Sequence, residues 1–120
     1  MAALIRKASQ QVLFSDLKVA DTYWSRMVGL IGTKSLSDQQ AMWFQPGNWI
    51  HSYFMSIAID CVFLDRKLKI VSIVEDFKPG RLGRPQWGAK SVIEMNSGRA
   101  RSLSLQVGEE LYVSDSHTER

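Results

Sequence analysis

His51, Asp60 and Glu94 bring an imidazole and two carboxylates into one chain of 120 residues, enough chemical types for general acid and base work or for a weak cation site. They come from separate segments, and their spacing matches no compact ligand motif such as two histidines on one helix face. Only the fold could gather them. Either they share a site, or each anchors its own stretch of backbone, as a buried hydrogen-bonded polar group in a core usually does. No cofactor is expected, and a metal ion is an option, with His51, Asp60 and Glu94 as its weak candidate ligands.

Asp60 is the most demanding of the three. It lies in Ile50 to Asp65, IHSYFMSIAIDCVFLD, a run apolar enough to be the centre of a core. An ionised carboxylate there is costly unless a cation or several N–H donors meet it. Arg26 is the nominated cation, and an Arg and carboxylate fork would clamp the first helix to this strand. If Asp60 and Glu94 instead face one cleft with Arg26 unpaired, an anionic small ligand would suit it. Met55 falls four residues after His51, on the same face of a strand, and the two could form a soft pair for reduced copper; a packed methionine is the plainer account. Cys61 is the only cysteine, which excludes an intramolecular disulfide and a thiolate-rich zinc site, and its place in an apolar strand reads as buried. Neither a GxSxG elbow nor a Walker loop nor a dinucleotide fingerprint occurs.

Trp43, Phe44, Trp49, Tyr53 and Phe54 cluster in sequence, and most of them are expected to fill the core. Trp87 differs. A tryptophan amid Pro and Gly must pack down as a plug or stand out as an anchor, which makes it a candidate ligand-binding residue. From Lys78 to Arg101 there are six basic residues and one acidic residue, Glu94. With Trp87 among them this is the mixture used on single-stranded nucleic acid, yet no RNA-binding motif accompanies it. A small anion or an acidic protein fits the stretch better than nucleic acid.

The elements that must position these groups are short. Leu4 to Phe14 alternates like one or two strands, with Ser15, Asp16 and Leu17 expected as a turn. Asp21 can cap a helix over Thr22 to Ile31, whose buried stripe is Tyr23, Met27, Leu30 and Ile31, and Gly32 ends it. Ala41 to Gln45, Ile50 to Phe54 and Ile57 to Leu64 read as strands. Asp65 to Leu68 makes a hairpin into Lys69 to Phe77, where Ile70, Ser72, Val74 and Asp76 should face one way and the intervening residues the other. Lys78 to Lys90 holds two prolines and three glycines and reads as a long loop. Ser91 to Met95 is a further strand. Asn96 or Ser97 can cap a helix through Gln106 with Ala100, Leu103 and Val107 buried, and Glu109 to Val113 is a last strand before a polar tail from Ser114. The expected fold is mainly β, an antiparallel sandwich or partly open barrel of about six or seven short strands with two short helices, all one domain over residues 1–120.

Fifteen Lys and Arg against twelve Asp and Glu leave a formal charge of +3, which aids solubility and only weakly favours anionic partners. No stretch approaches the roughly 20 apolar residues of a membrane span, and the N-terminus lacks the apolar core of a secretory signal. A cytoplasmic protein that does not enter a membrane is the expectation.

Four landmarks together resemble the domain-of-unknown-function 192 family of small prokaryotic proteins. These are Arg26 with Gly29 and Leu30 ahead of the aromatic strand Met42 to Phe44; His51, Met55, Asp60 and Phe63 within IHSYFMSIAIDCVFLD; Val92 to Glu94 followed by Gly98; and Val107, Gly108 and Glu109. The resemblance runs from about Val19 to Val113. It implies a compact, mainly β fold, no established activity, and relatives that often look exported. The chain departs from the pattern with Ala58, where a proline is common, and with Ser91, where an apolar residue is usual. The functional expectation is a non-enzymatic binding or accessory protein, taking a small ligand or protein partner in a cleft near Arg26, His51, Asp60 and Glu94 that the Trp87 loop gates. The alternatives are a metal-assisted or His-based hydrolytic enzyme, and an interaction or weak nucleic-acid-binding module using exposed aromatics and the basic stretch 78–101.

Overall fold

The computed structural model describes residues 2–20, 36–45 and 57–115. Seven strands form one sheet: β1 (Ala2–Arg6), β2 (Val12–Ala20), β3 (Gln40–Phe44), β4 (Ile59–Leu64), β5 (Ile70–Phe77), β6 (Ser91–Asn96) and β7 (Leu111–Asp115), with a single turn of helix, α1 (Arg99–Ser102), between the last two. Their order across the sheet is β5-β4-β6-β3-β2-β1-β7. The two outer strands come back together at one end. Lys69 bridges Glu110, Ile70 N–H donates to the Glu109 carbonyl at 2.8 Å, and Leu111 N–H donates to the Leu68 carbonyl at 3.0 Å. The sheet is therefore a curled half-barrel, and the mainly β expectation holds.

All pairings are antiparallel except that of β2 with β3, which is parallel from Asp16 opposite Gln40 to Ala20 opposite Phe44. Parallel neighbours need a crossover rather than a hairpin, and the connecting segment includes residues 21–35. The helix expected over Thr22 to Ile31 and the strand expected over Ile50 to Phe54 both lie outside the described residues.

Curling gives the sheet an inner and an outer core. Leu4, Phe14, Val62, Leu64, Ile93 and Met95 are among the side chains closing the inner one, together with Ala100 and Leu105 from the α1 region. Met42, Phe44, Ile59, Cys61, Phe63 and Val92 form the outer one. The interior strand β4 feeds both faces and is buried along its whole length. Ser91, opposite Leu64, is buried with its hydroxyl lacking a hydrogen-bond partner among the described residues, so the apolar residue usual there would lose nothing.

Four expectations need correction. The reversal between the first two strands is at Lys7 to Gln11, where Gln10 takes a positive φ of 63°, whereas Ser15, Asp16 and Leu17 lie within β2. Turn-forming side chains lose there to the burial of Leu17 and to pairing with β3. In β5 the simple alternation fails because two bulges interrupt its pairing with β4: Leu64 faces Ile70 but Phe63 faces Ser72, and Cys61 faces Val74 but Ile59 faces Phe77. Each extra residue rotates the strand, so Ile73 packs inward while Val71, Val74 and Phe77 pack outward. The helix expected through Gln106 stops at Ser102. Ser104 turns at φ 55°, Leu105 N–H reaches back to the Ala100 carbonyl at 3.0 Å, and Leu105 takes the buried place expected of Val107, which is 64% exposed. Finally, Ser114 and Asp115 belong to β7, paired with Ala3 and Ala2.

The hairpin at Asp65 to Leu68 stands as expected. Asp65 Oδ1 accepts the N–H groups of Lys67 at 2.8 Å and Lys69 at 2.9 Å. Such an aspartate turn supplies locally the acceptors that the ladder leaves off.

Candidate functional site

Asp60 is fully buried, and backbone answers it. Its Oδ1 accepts the Asp76 N–H at 2.8 Å, and its Oδ2 accepts the N–H groups of Gly98 and Ala100, each at 3.0 Å. The first donor lies in the second bulge of β5, where Asp76 itself adopts a φ of 53°. The other two open α1, and Gly98 holds a φ of 93° that a side chain would strain. One carboxylate thereby ties β4 to the bulge of β5 and to the β6–α1 turn, as several N–H donors can stabilise a buried charge. Arg26, its proposed clamp partner, lies outside the described residues, and three backbone donors already occupy the Asp60 oxygens.

Asp76 extends this node to the surface. Its carboxylate accepts the Ser97 hydroxyl at 2.7 Å and pairs with the Lys78 ammonium at 2.8 Å. Hydrogen bonds from Lys78 first and Ser97 second hold its carboxyl below the ordinary value of 3.8.

Glu94 points the other way. In the β4–β6 register Asp60 sits opposite Met95, an inner-core residue, whereas Glu94 sits opposite Cys61, an outer-core residue. Directly opposed residues share a face, so Asp60 and Glu94 lie on opposite faces of the sheet. The described strands therefore do not bring these two carboxylates of the expected set onto one face. Glu94 is only 6% exposed, flanked by Cys61 on β4 and Met42 on β3. Cys61 has no exposure; burial, then the negative charges of Glu94 and Asp60, push its thiol well above the ordinary range. Burial and the neighbouring carboxylates both disfavour the thiolate. His51 and Met55 lie outside the described residues, and among those described no group of three His, Cys, Asp or Glu side chains could hold a metal.

What the outer face does offer is a groove of about 260 Å³ between β4, β5 and the 78–90 loop. Phe63, Val74 and Phe77 line it from the sheet, and Leu82, Gly83, Arg84 and Gln86 from the loop. The loop is fastened on both sides of its tip: Ser72 Oγ donates to Gln86 Oε1 at 2.8 Å, Gln86 Nε2 donates to the Arg84 carbonyl at 3.0 Å, and Lys90 N–H donates to the Leu64 carbonyl at 2.7 Å. Trp87 stands on that tip 86% exposed, next to a groove wall whose Leu82 is 56% exposed. Of the two placements open to this tryptophan, it stands out from the loop rather than packing down as a plug. Sequence alone flagged Trp87 and counted Arg84 within the basic stretch, but did not connect them with Phe63, Val74, Phe77, Leu82 and Gln86, because the β5 bulges that turn Val74 and Phe77 outward leave no periodic trace. Leu82 amid cations and glycines was the one available signal.

The basic stretch is partly spent within the fold. Lys78 pairs with Asp76, Arg101 reaches Glu75 at 3.3 Å, and the Arg99 guanidinium lies 5.6 Å over the Phe14 ring.

Comparison with known proteins agrees with this frame. The profile of the DUF192 family, described as "Uncharacterized ACR", matches residues 4–113. A UPF0127 protein of Thermococcus sibiricus is 31% identical over 113 residues, covering 90% of this chain and 72% of its own. A UPF0127 protein of Pyrococcus horikoshii is 28% identical over 102 residues, covering 80% of this chain and 85% of its own. Among solved structures, a protein of unknown function from Novosphingobium aromaticivorans superposes with a TM-score of 0.79 at 21% identity, over 92% of this chain and 82% of its own. A Sinorhizobium meliloti chain, provisionally described as a transcription regulator, gives 0.76 at 19% identity, over 93% and 91% respectively. Likeness at that identity shows the fold alone. The profile match, spanning nearly every strand described above, establishes that the chain belongs to the DUF192 family of uncharacterised proteins.

Proposed function

We propose that this protein is a binding module rather than an enzyme, and that its site is the outer-face groove beneath the 78–90 loop. The observation that carries this reading is Trp87, 86% exposed on a loop held by side-chain and backbone hydrogen bonds beside an apolar groove. Leaving a large aromatic surface in water forgoes its burial, about 25 cal/mol per Å², which a structural tryptophan would not do. Fastening the loop in advance lowers the ordering cost of binding. The Trp87 loop is thus the receiving surface itself, and the inner-face Asp60 holds the sheet that supports it.

The probe 1-anilinonaphthalene-8-sulfonate, an apolar ring system with one anion, tests the reading. It should bind the native chain saturably, and Trp87→Ala or Leu82→Asp should weaken it by about tenfold while cooperative unfolding is retained. No binding, or binding indifferent to both substitutions, contradicts it.

A second reading is favoured by one observation, the carboxylate of Glu94 at 6% exposure on the outer face beside Cys61. In it Glu94 orients His51 as a hydrolytic base or shares a cation with it. Stoichiometric metal in protein purified without added metal, lost in His51→Ala, supports that pairing; metal-free protein rejects the cation-binding form of it.

A further inference from the structure

We infer that the occupant of the groove is a protein segment presenting one bulky apolar side chain flanked by carboxylates. The inference rests on the groove being the binding site and names what it takes. Size is the first argument. At about 260 Å³ the groove falls below the roughly 300–1,000 Å³ of pockets that enclose small-molecule ligands, and suits the insertion of one side chain. Its walls are the second: Phe63, Val74, Phe77 and Leu82 offer carbon, so the inserted group is apolar.

Charge complementarity supplies the flanks. The loop carries Lys78, Arg81, Arg84 and Lys90 and no acidic residue. Lys78 already answers Asp76. Arg84 lines the groove, is exposed, and its guanidinium makes no ion pair or hydrogen bond among the described residues. Gln86, the other polar side chain of the wall, has both amide ends engaged, with Ser72 and with the Arg84 carbonyl. The groove therefore presents a single uncommitted polar group, and a planar guanidinium selects carboxylates through paired hydrogen bonds. Trp87 beside it provides the large exposed aromatic surface that typically dominates the energy of a protein interface.

The test titrates the isotope-labelled full chain with the peptide acetyl-Glu-Asp-Phe-Asp-Glu-amide, following the Trp87 indole N–H and Val74 amide resonances by NMR. Both resonances should shift saturably. A peptide with lysines replacing the acidic residues should bind about tenfold more weakly, and Trp87→Ala and Arg84→Glu should each weaken the acidic peptide about tenfold with the remaining spectrum unchanged. Equal binding of the lysine peptide, or indifference to Arg84→Glu, overturns the inference. If anilinonaphthalene sulfonate binds at the groove but the acidic peptide does not, the occupant is wrong and the groove stands; if neither binds, both readings fall. A pentameric oligodeoxythymidine that shifts the same resonances more tightly than the peptide also overturns it and assigns the surface to nucleic acid.

Discussion

At the scale of single residues, Asp60 is buried and met by backbone while Trp87 stands exposed. Asp60 was legible as an anomaly, since a carboxylate inside IHSYFMSIAIDCVFLD must find donors. Which donors was not legible, because they are backbone N–H groups of Asp76, Gly98 and Ala100, set in place by a bulge and a left-handed turn rather than by side-chain type. Asp60→Asn places an amide N–H₂ where an acceptor is needed and leaves at least one buried donor facing a donor. Chemical denaturation should show a loss of about 2–4 kcal/mol, and a loss below about 0.5 kcal/mol would mean that the node is dispensable. Asp76 gives a pH signature. Its folded carboxyl is held below its unfolded value by Lys78 and Ser97, so its contribution to stability is present above the unfolded value and fades as pH falls through the folded one. A carbon-detected NMR titration should place Asp76 below the usual carboxylate range, and Lys78→Met should move it upward; no movement would assign the depression to another source.

At the scale of elements, the sequence announced strands better than it announced their irregularities. The apolar runs of β4 and β6 and the aspartate turn at Asp65 could be read directly, because burial and local hydrogen bonding act within a few residues. The bulges of β5 could not, since an extra residue appears only against the partner strand. Nor could the end of α1, where Ala100, Leu103 and Val107 mimic a helical stripe while Leu105 is the residue that turns inward. That difference is measurable. Leu105→Ala should cost about 2–4 kcal/mol as a buried leucine truncation, whereas Val107→Ala should stay within about 0.5 kcal/mol. The reverse order in denaturation midpoints would restore the longer helix. The 78–90 loop was legible as a loop, and Trp87 as an oddity within it, but the groove behind it depends on Val74 and Phe77 having been rotated outward by those same bulges.

At the scale of the whole molecule, a half-barrel with two cores explains why Asp60 and Glu94, close as their strands are, do not share a face. Asp60 belongs to the inner face and Glu94 to the outer, and sequence offered no way to know that the two strands pair with Asp60 opposite Met95. The mainly β expectation survived because alternation, turn residues and short segments all agreed with it, while the parallel β2–β3 pair could not be seen before the strand order was known. Both faces carry a buried core, and the proposed binding groove lies on the outer one. The most direct test labels the methyl groups of Val74 and Leu82 in the groove and of Val62 and Leu64 in the inner core, and titrates anilinonaphthalene sulfonate into the folded chain. The Val74 and Leu82 methyl signals should shift saturably while those of Val62 and Leu64 stay in place. Shifts centred on Val62 and Leu64, or none at Val74 and Leu82, would contradict the assignment of binding to the outer groove.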